Sequence, residues 1–328
     1  MSRDPTVSVI VPAYNAAATL NDTLTSIRAQ THAALEIVVV DDGSSDQSPA
    51  IADRHASEDG RIRVVRKSNG GVASARNRAI AETSAPLIAP IDADDLWHPA
   101  KIERQLAAMT ASGMIGLVYT WYAIINEQSK IMFLDSRSEA EGLVLSDMCL
   151  RNIVGNGSGP LMVRTAVEAA GGYDESLKAR RAQGCEDYKL YFKIAQAWEF
   201  ALVREYLVGY RDLPENMSSD HWQMLRSRDL CSDELGQARP NLRPSLKQGR
   251  ARLLRYMVSR SLRSRQFGAA GKLFIEMVRS SPAGAAEQVR SLVHDKVTTR
   301  NRSPDPRLGK LFPGDSAGTL TAPTEMVV

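Results

Sequence analysis

The sequence lacks the features that would place it in a membrane or secreted class. It has no apolar run of about 18 residues or more, which excludes an ordinary membrane-spanning helix. Residues 1–5 contain no apolar stretch, so we expect no signal peptide. Only three cysteines occur, an odd number without metal-binding spacing, and this favours a reducing compartment. We therefore predict a cytoplasmic protein.

The composition is that of a globular protein with an uneven charge distribution. The 328 residues are 43% hydrophobic and 24% charged, enough for one large domain or two ordinary ones. Residues 221–328 carry 19 Lys and Arg against 9 Asp and Glu, whereas residues 1–220 carry 22 against 29. This asymmetry predicts two regions with different partners.

Apolar runs alternate with helical patterns through the first third of the chain. The pattern predicts four strands separated by helices, which is typical of right-handed βαβ units and a parallel sheet. Further strands, and a helix over 186–197, are predicted downstream. The predicted strands are 7–11, 35–40, 61–65, 86–91, 115–119, 131–134, 142–145 and 160–163.

Polar residues follow three of these strands directly, at 13–15, 41–42 and 92–95. Ligands of open α/β sheets bind outside the carboxyl ends of the strands, so we expect the three clusters to converge on one crevice. Asp92, Asp94 and Asp95 are the most concentrated of these charges. Neighbouring carboxylates repel unless a cation neutralises them, and their hard oxygen atoms suit Mg²⁺ or Mn²⁺. The alternative is an ordinary acidic turn or helix cap.

Five motifs in this order resemble the family 2 glycosyltransferases of GT-A fold over roughly residues 5–215. The resemblance implies an α/β fold: a Rossmann-like, mostly parallel sheet flanked by helices, here with a C-terminal all-helical extension. It also implies an inverting transferase that uses a nucleotide-diphosphate sugar. The motifs are VSVIVPAYN (7–15), VVDDGSSD (39–46), DADD (92–95), GGYDE (171–175) and EDY (186–188).

The resemblance assigns donor binding to residues from several motifs. Asp42 is expected to hold the uracil or ribose, although Asp in this context also forms Asx-turns. Tyr14 offers a ring face for the base, the alternative being a half-buried core tyrosine. Arg76 is expected to contact the nucleotide, the alternative being a solvated helix face. The glycines before it would let a phosphate approach the helix N-terminus. Pro12, Ala13, Asn69, Asp92 and Ala93 complete the expected donor site.

The same resemblance implies how the reaction proceeds. Asp94 is expected to ligate the metal most directly, Asp92 to contact ribose or metal-bound water, and Asp95 to shape the site. Asp187 is the expected general base toward the acceptor hydroxyl, with Glu186 in support. The alternative for this pair is that acidic residues simply favour the first turn of a helix.

The segment around Arg211 departs from the family pattern at one position. Arg211 resembles the arginine expected to clamp the diphosphate as a charge-assisted donor. Many relatives carry a histidine two positions later, where this chain has Leu213, so a third protein ligand to the metal is in doubt. We interpret His221 as an incidental surface residue.

Three regions are predicted. Residues 1–220 form the catalytic domain, with a nucleotide-sugar half at 1–115 and an acceptor half at 116–220. Residues 221–298 form a basic helical extension, and 299–328 a disordered tail. The extension is interpreted as a helical cap, with peripheral binding to the inner membrane face as the alternative. Nucleic acid is not an expected partner, because aromatic residues do not alternate with the arginines at 250, 252, 255, 260, 263 and 265.

We predict sugar transfer from a UDP- or dTDP-linked donor to a glycan or lipid-linked acceptor, as in cell-surface polysaccharide biosynthesis. One rival is a nucleotidyltransferase that makes nucleotide sugars. That class normally carries a Gly-rich basic loop after the first strand, where this chain has the sequence AYNAA (13–17). The other rival is a non-catalytic nucleotide-sugar-binding protein, against which Asp94 and Asp187 argue.

Overall fold

The computed structural model describes residues 5–135, 138–213, 216–263, 265–282, 284–286, 289–290 and 305–313. Residues 7–90 repeat a strand–helix unit, as the alternating pattern predicts. The parallel ladders join β1 to β2 and β4, and β2 to β3. The elements are β1 (Val7–Ala13), α1 (Leu20–Arg28), β2 (Leu35–Asp41), α2 (Ser48–Glu58), β3 (Ile62–Arg66), α3 (Val72–Ala81) and β4 (Leu87–Pro90).

The strands between residues 96 and 211 pair in both parallel and antiparallel directions. Ladders β4–β8, β6–β8, β6–β7 and β5–β9 are antiparallel, and β6–β9 is parallel. The predicted α/β class is confirmed, with its parallel part concentrated in β1–β4. The elements are β5 (Leu96–Trp97), α4 (Lys101–Met109), β6 (Ile115–Ile125), β7 (Ile131–Asp135), α5 (Leu145–Leu150), β8 (Leu161–Val163), α6 (Arg164–Ala169), α7 (Ser176–Ala179), α8 (Glu186–Ile194) and β9 (Glu199–Arg211).

The strands form one sheet in the order β3-β2-β1-β4-β8-β6-β9-β5, with β7 beside β6. Strand β1 is buried along its whole length because helices cover both faces of the sheet there, which explains its unbroken apolar sequence. Two large apolar clusters pack against the sheet. One contains Leu20, Leu24 and Ile27 of α1, and the other contains Tyr188 and Phe192 of α8.

One prediction for residues 96–211 is wrong, and one long strand was not predicted. Strand β9 has 13 residues, and the sequence pattern does not indicate it because Arg204 and Glu205 interrupt the apolar run. The pairing with β6 shifts at that point, so that Val203 pairs with Thr120 and Tyr206 with Trp121. Residues 142–145, expected to be a strand, contribute only a bridge from Gly142 to Phe200 before α5 begins.

The C-terminal extension is helical, as predicted. It comprises α9 (His221–Ala238), α10 (Arg243–Arg263) and α11 (Phe267–Ser280). The Asp220 side chain begins α9 by accepting hydrogen bonds from the backbone N–H groups of Trp222 (3.1 Å) and Gln223 (2.9 Å). Leu225 of α9, Leu254 and Val258 of α10 and Leu273 of α11 share a buried cluster, so the three helices form one unit.

A short segment near the C-terminus corrects the prediction of a disordered tail. Residues 305–313 pack against the sheet, and Leu311 forms an antiparallel bridge with Lys130. The Phe312 ring is buried among Leu96, Ala123, Ile125 and Ile131. The rest of the predicted tail, 299–304 and 314–328, lies outside the described residues.

None of the helices among the described residues combines the length and the apolarity that crossing a membrane demands.

Candidate active site

A cleft of about 1170 Å³ opens at the carboxyl ends of β1, β2 and β4. It brings together all but one of the predicted site residues, as expected for polar groups that follow neighbouring parallel strands. Those in its lining are Pro12, Ala13, Tyr14, Asp42, Asn69, Arg76, Asp92, Ala93, Asp94, Glu186 and Asp187. Arg211 is the exception.

The Asp42 carboxylate is buried and closely held at the end of β2. It accepts hydrogen bonds from Lys67 Nζ (2.7 Å) and from the backbone N–H groups of Gly70 (2.9 Å) and Gly71 (2.7 Å). The N–H groups that we expected to meet phosphate are therefore occupied by a carboxylate, because a buried anion requires donors. A carboxylate has about four acceptor positions, so one remains for a ligand in the cleft.

Tyr14 is exposed at the rim of the cleft rather than packed in the core, with 54% of its surface accessible. Asn15 after it adopts a left-handed conformation (φ 48°). Its side-chain oxygen accepts from Ser45 N (2.9 Å), and its own N–H donates to Ser44 Oγ (3.0 Å). These bonds tie the end of β1 to the loop after β2 and hold the Tyr14 ring at the entrance.

Ser158 organises the acidic cluster, and the sequence analysis missed it. This fully buried hydroxyl accepts from the Asp92 backbone N–H (2.9 Å) and donates to Asp95 Oδ2. Next to it, a Cβ on Gly157 would come within 2.8 Å of the Asp92 carboxylate. The available signal was the glycine- and asparagine-rich sequence at 152–159, which is typical of a loop but does not indicate the contacts of Ser158.

The carboxylates of Asp92, Asp94 and Asp95 are not fully neutralised by neighbouring positive charges, and the pKa values show this. Burial and the neighbouring Asp92 carboxylate raise the pKa of Asp94 to about 7. Burial, together with the charges of Asp94 and Asp92, raises the pKa of Asp95 well above its ordinary value. The Asp95 carboxylate faces Ser158 and the Arg211 backbone rather than the cleft.

Arg76 is buried, with 3% of its surface exposed, so the alternative of a solvated helix face is wrong, while its contact with the nucleotide stays a prediction. Its Nη2 pairs with Asp92 Oδ1, and its Nη1 lies 3.5 Å from Glu186 Oε1. The guanidinium also stacks over the Tyr173 ring at 5.2 Å. Arg76 thus links the acidic motif after β4 to the acidic pair at the start of α8.

Asp187 and Glu186 begin α8 and have different surroundings. Glu186 Oε2 accepts from Gly184 N (2.8 Å), and its other oxygen faces Arg76. Asp187 is bonded locally, to the N–H of Tyr188 (2.6 Å). Burial, then the Glu186 charge, raises the pKa of Asp187 to about 7, and Arg76 opposes this rise. A carboxyl with a pKa near 7 is suited to accept a proton at neutral pH.

Arg211 does not point into the cleft, which corrects its predicted role as a diphosphate clamp. Its guanidinium donates to the carbonyl oxygens of Asp94 (2.8 Å), Asn126 (2.9 Å) and Glu127 (2.7 Å). Its backbone N–H donates to Asp95 Oδ1 (2.9 Å). With 1% of its surface exposed, it serves to hold the acidic motif against the β6–β7 turn.

Leu213 lines the cleft where many relatives of the resembled family carry histidine. His221 also lines it and is buried, with 8% of its surface exposed, so its interpretation as an incidental surface residue is wrong. Its Nδ1 lies 3.1 Å from Ser261 Oγ, a contact that joins the start of α9 to α10.

The helical extension packs as a cap. Two of its arginines are committed to ion pairs: Arg250 contacts Asp229 (2.7 Å) and Glu276 (2.9 Å), and Arg260 contacts Asp212. These pairs join α10 to α9, α11 and the end of β9.

The donor set fits a hard divalent cation only with help from a substrate. Among the residues described, no group of three or more His, Cys, Asp and Glu side chains is placed to hold a metal. Asp92 and Asp94 both line the cleft and carry an excess of negative charge. Mg²⁺ commonly binds through one or two carboxylates, substrate phosphates and water, and the chemistry of these two residues fits that pattern.

Sequence comparison finds similarity to a known family in the N-terminal part of the chain. The model of the family "Glycosyl transferase family 2" matches residues 8–164. An uncharacterized glycosyltransferase of Rickettsia typhi is 32% identical over 211 residues, which cover 63% of this chain and 64% of that protein. The match thus spans less than two thirds of this relative. A Bacillus subtilis protein, provisionally named as the teichuronic acid biosynthesis glycosyltransferase TuaG, is 29% identical over 67% of this chain and 84% of its own.

Solved structures show the same fold over nearly the whole chain. Staphylococcus aureus TarS 1–349 in complex with UDP-GlcNAc has a TM-score of 0.62 at 14% identity, covering 97% of this chain and 99% of that one. The mannosyltransferase PcManGT from Pyrobaculum calidifontis, in complex with GDP-Man and Mn²⁺, has a TM-score of 0.55 at 18% identity, covering 92% and 89%. The predicted GT-A fold is confirmed.

Proposed function

From the match of the family 2 glycosyltransferase model to residues 8–164, we propose that this chain is an inverting, metal-assisted glycosyltransferase. It takes a sugar from a nucleotide-diphosphate donor, UDP- or dTDP-linked. It transfers the sugar to a hydroxyl of a glycan or lipid-linked acceptor, within cell-surface polysaccharide synthesis.

One observation carries this proposal. Asp92 and Asp94, which follow β4, share a cleft with Asp187, which lies about ninety residues later at the start of α8. Arg76 connects the two groups through Asp92 and Glu186. A leaving-group site and a base beside it are the two functions that an inverting displacement requires.

The donor nucleoside is assigned to the ends of β1 and β2. The exposed Tyr14 ring supplies a stacking surface, and the remaining acceptor position of Asp42 suits a uracil N–H or a ribose hydroxyl. The backbone of Pro12 and Ala13 and the Asn69 side of the loop complete this half of the cleft.

The diphosphate is assigned to the acidic motif. Asp94, with Asp92, would hold Mg²⁺ or Mn²⁺, which supplies Lewis-acid stabilisation of the departing nucleoside diphosphate. Arg76 provides a fixed positive charge beside the same carboxylates. Arg211 supports the motif from behind through the Asp94 carbonyl.

Asp187 is assigned the proton abstraction. Its raised pKa makes it a stronger base than an ordinary aspartate, and among the described residues only the Tyr188 N–H donates a hydrogen bond to its carboxylate. Glu186, bonded to Gly184 and facing Arg76, supports this arrangement. No protein acid is assigned to the leaving group.

We place the reaction in the cytoplasm, at or near the membrane. The three cysteines are free and buried, which suits a reducing compartment. Phe267, Ile275 and Val278 are exposed on α11 beside Lys272 and Arg279, and such a face is suited to peripheral contact with anionic lipid.

The metal and leaving-group assignment is tested with Asp94→Ala. A thermal-shift screen of nucleotide sugars with Mn²⁺ first identifies the donor, because only a ligand that favours the folded state raises the midpoint. We expect metal-dependent donor hydrolysis and transfer to fall at least about a hundredfold in the variant, with folding intact. Full activity in this variant contradicts the assignment.

The base assignment is tested with Asp187→Asn. Donor binding should persist while transfer falls about a thousandfold, since the variant keeps the shape and loses the proton acceptor. Release of pyrophosphate, rather than of nucleoside diphosphate, by the unmodified protein would indicate a nucleotidyltransferase instead. Donor binding without any turnover would indicate a non-catalytic protein.

A further inference from the structure

Helix α10 contributes a polar stripe to the wall of the cleft. Arg252, Tyr256 and Arg260 are spaced four residues apart, so they lie on one face of the helix, and all three line the cleft. Arg252 is exposed, and Tyr256 has 41% of its surface accessible. The cleft therefore continues beyond the strand ends onto the helical extension.

A glycine brings this stripe close to the catalytic domain. A Cβ placed on Gly249 would lie 2.1 Å from the Cys149 carbonyl oxygen at the end of α5. Only a residue without a side chain permits this approach. Arg252 follows three residues later, on the adjacent turn of the same helix, which places it in the cleft lining rather than in open solvent.

The two walls of the cleft carry opposite charge. Within the described part of the chain, the lining contributed by α9 and α10 contains three arginines and no carboxylate. Among the described residues, the catalytic domain contributes three lining cations, Arg76, Arg151 and Lys178, and all six lining carboxylates, so its wall is acidic on balance. The carboxylates are Asp42, Asp92, Asp94, Asp135, Glu186 and Asp187. An anionic ligand that avoids the acidic wall would therefore be stabilised at the α9–α10 wall.

Arg252 is the cation of this wall with capacity for a ligand. Arg260 pairs with Asp212. Arg228 donates to the Cys149 carbonyl (2.8 Å) and stacks over Tyr188 at 4.0 Å. Among the described residues, the Arg252 side chain has no hydrogen-bond or ion-pair partner.

We infer that Arg252 and Tyr256 form an acceptor subsite for a glycan that carries an anionic group, a carboxylate or a phosphate, near its reacting hydroxyl. The Arg252 guanidinium is suited to bind either anion through paired hydrogen bonds. The Tyr256 ring offers a flat surface for the adjoining sugar. This inference rests on the proposed transferase function, which it deepens by naming the class of acceptor.

Binding of simple probes tests the subsite without knowledge of the natural acceptor. Isothermal titration is carried out with a galacturonate trimer, inorganic phosphate and neutral maltotriose, in the presence of UDP and Mn²⁺ so that the donor half is occupied. We expect the trimer to bind, and Arg252→Ala to weaken its binding about tenfold. Arg252→Lys should restore part of the loss, and Tyr256→Ala should weaken the trimer more than it weakens phosphate.

Lys247→Ala is the matched control, because Lys247 is an exposed cation on the same helix but does not line the cleft. It should leave binding unchanged. Equal loss in Lys247→Ala and Arg252→Ala, or equal binding of trimer and maltotriose, overturns the inference. So does the absence of binding of both anionic probes to the unmodified protein.

Phosphatidylglycerol vesicles separate a glycan subsite from a lipid surface. Cosedimentation that depends on Arg252, combined with no binding of the trimer, overturns the inference in favour of membrane lipid. Retention on vesicles through α11 should not depend on Arg252. Failure of the unmodified protein to bind either UDP or dTDP counts against the proposed function, whereas trimer binding that does not depend on Arg252 counts only against the subsite.

Discussion

Arg76 is placed to neutralise carboxylates that belong to two different motifs. It pairs with Asp92 on one side and lies 3.5 Å from Glu186 on the other, under the Tyr173 ring. Without a positive charge between them, these buried anions would repel each other and the base beyond them. Arg76 therefore sets the electrostatics of the site as well as its geometry.

Activity should depend on pH through Asp187. The base must be ionised to accept a proton, and its pKa is raised to about 7, so transfer should rise as the pH increases through about 7. A pH–rate profile of kcat/KM between pH 5 and 9 measures this rise, which forms the acidic limb of the profile. A profile that is flat down to pH 5 contradicts the raised pKa. The charged and titratable groups that face Asp187 are Cys185, Glu186, Asp92, Arg76, Tyr173 and Tyr191.

Removing the Arg76 charge should move this limb to higher pH. Arg76 lowers the pKa of Asp187, so in Arg76→Gln the carboxyl should be harder to ionise, and the limb should shift upward by about one pH unit. Arg78→Gln is the control, since Arg78 lies on the same helix, is 49% exposed and pairs with Glu82. An unshifted limb in Arg76→Gln, or an equal shift in both variants, would show that Arg76 does not tune the base.

At the scale of elements, the contact between α5 and α10 depends on Gly249. Gly249→Ala should destabilise the protein by about 2 kcal/mol, because the added methyl overlaps the Cys149 carbonyl. Gly271→Ala on α11 is the opposite case, since no atom lies within 4 Å of its added Cβ. It should stabilise the protein by about 0.5–1 kcal/mol. Urea unfolding of both variants tests the contrast, and equal stability changes would contradict it.

The elements that the sequence predicted well are those whose signals are local. Strands β1, β2 and β4 are continuous apolar runs, and parallel geometry brings the residues after them together, so Asp42, Asp92 and Asp94 could be assigned to one cleft. The helix of Asp187 was also predicted, although its place in the cleft came from the resemblance.

Residues whose roles depend on distant partners were not predicted. Arg211 contacts carbonyl groups more than eighty residues away, and backbone carbonyls leave no trace in a sequence pattern. Ser158 lies in a polar loop where nothing distinguishes a buried serine from an exposed one. His221 is buried and contacts Ser261 of α10, a tertiary contact that the sequence pattern does not indicate.

At the scale of the whole molecule, the segment at 305–313 returns the chain from the helical extension to the catalytic domain. Phe312 joins the cluster of Leu96, Ala123, Ile125 and Ile131, so Phe312→Ala should reduce the free energy of unfolding by about 3 kcal/mol. Leu311→Ala is the control, because the Leu311 side chain is 50% exposed and should change stability by less than about 0.5 kcal/mol. Similar urea midpoints for the two variants would contradict this role.

The same segment also covers part of an edge strand of the sheet, β7. Strand β7 pairs with β6 on one side, and at its start Ile131 exchanges backbone hydrogen bonds with Lys310 (2.9 Å) and Gly309 (2.7 Å). Uncovered edge strands are templates for pairing with other chains. The segment therefore occupies backbone groups of β7 that would otherwise be available for pairing with another molecule. It thereby protects the protein against aggregation through this edge strand.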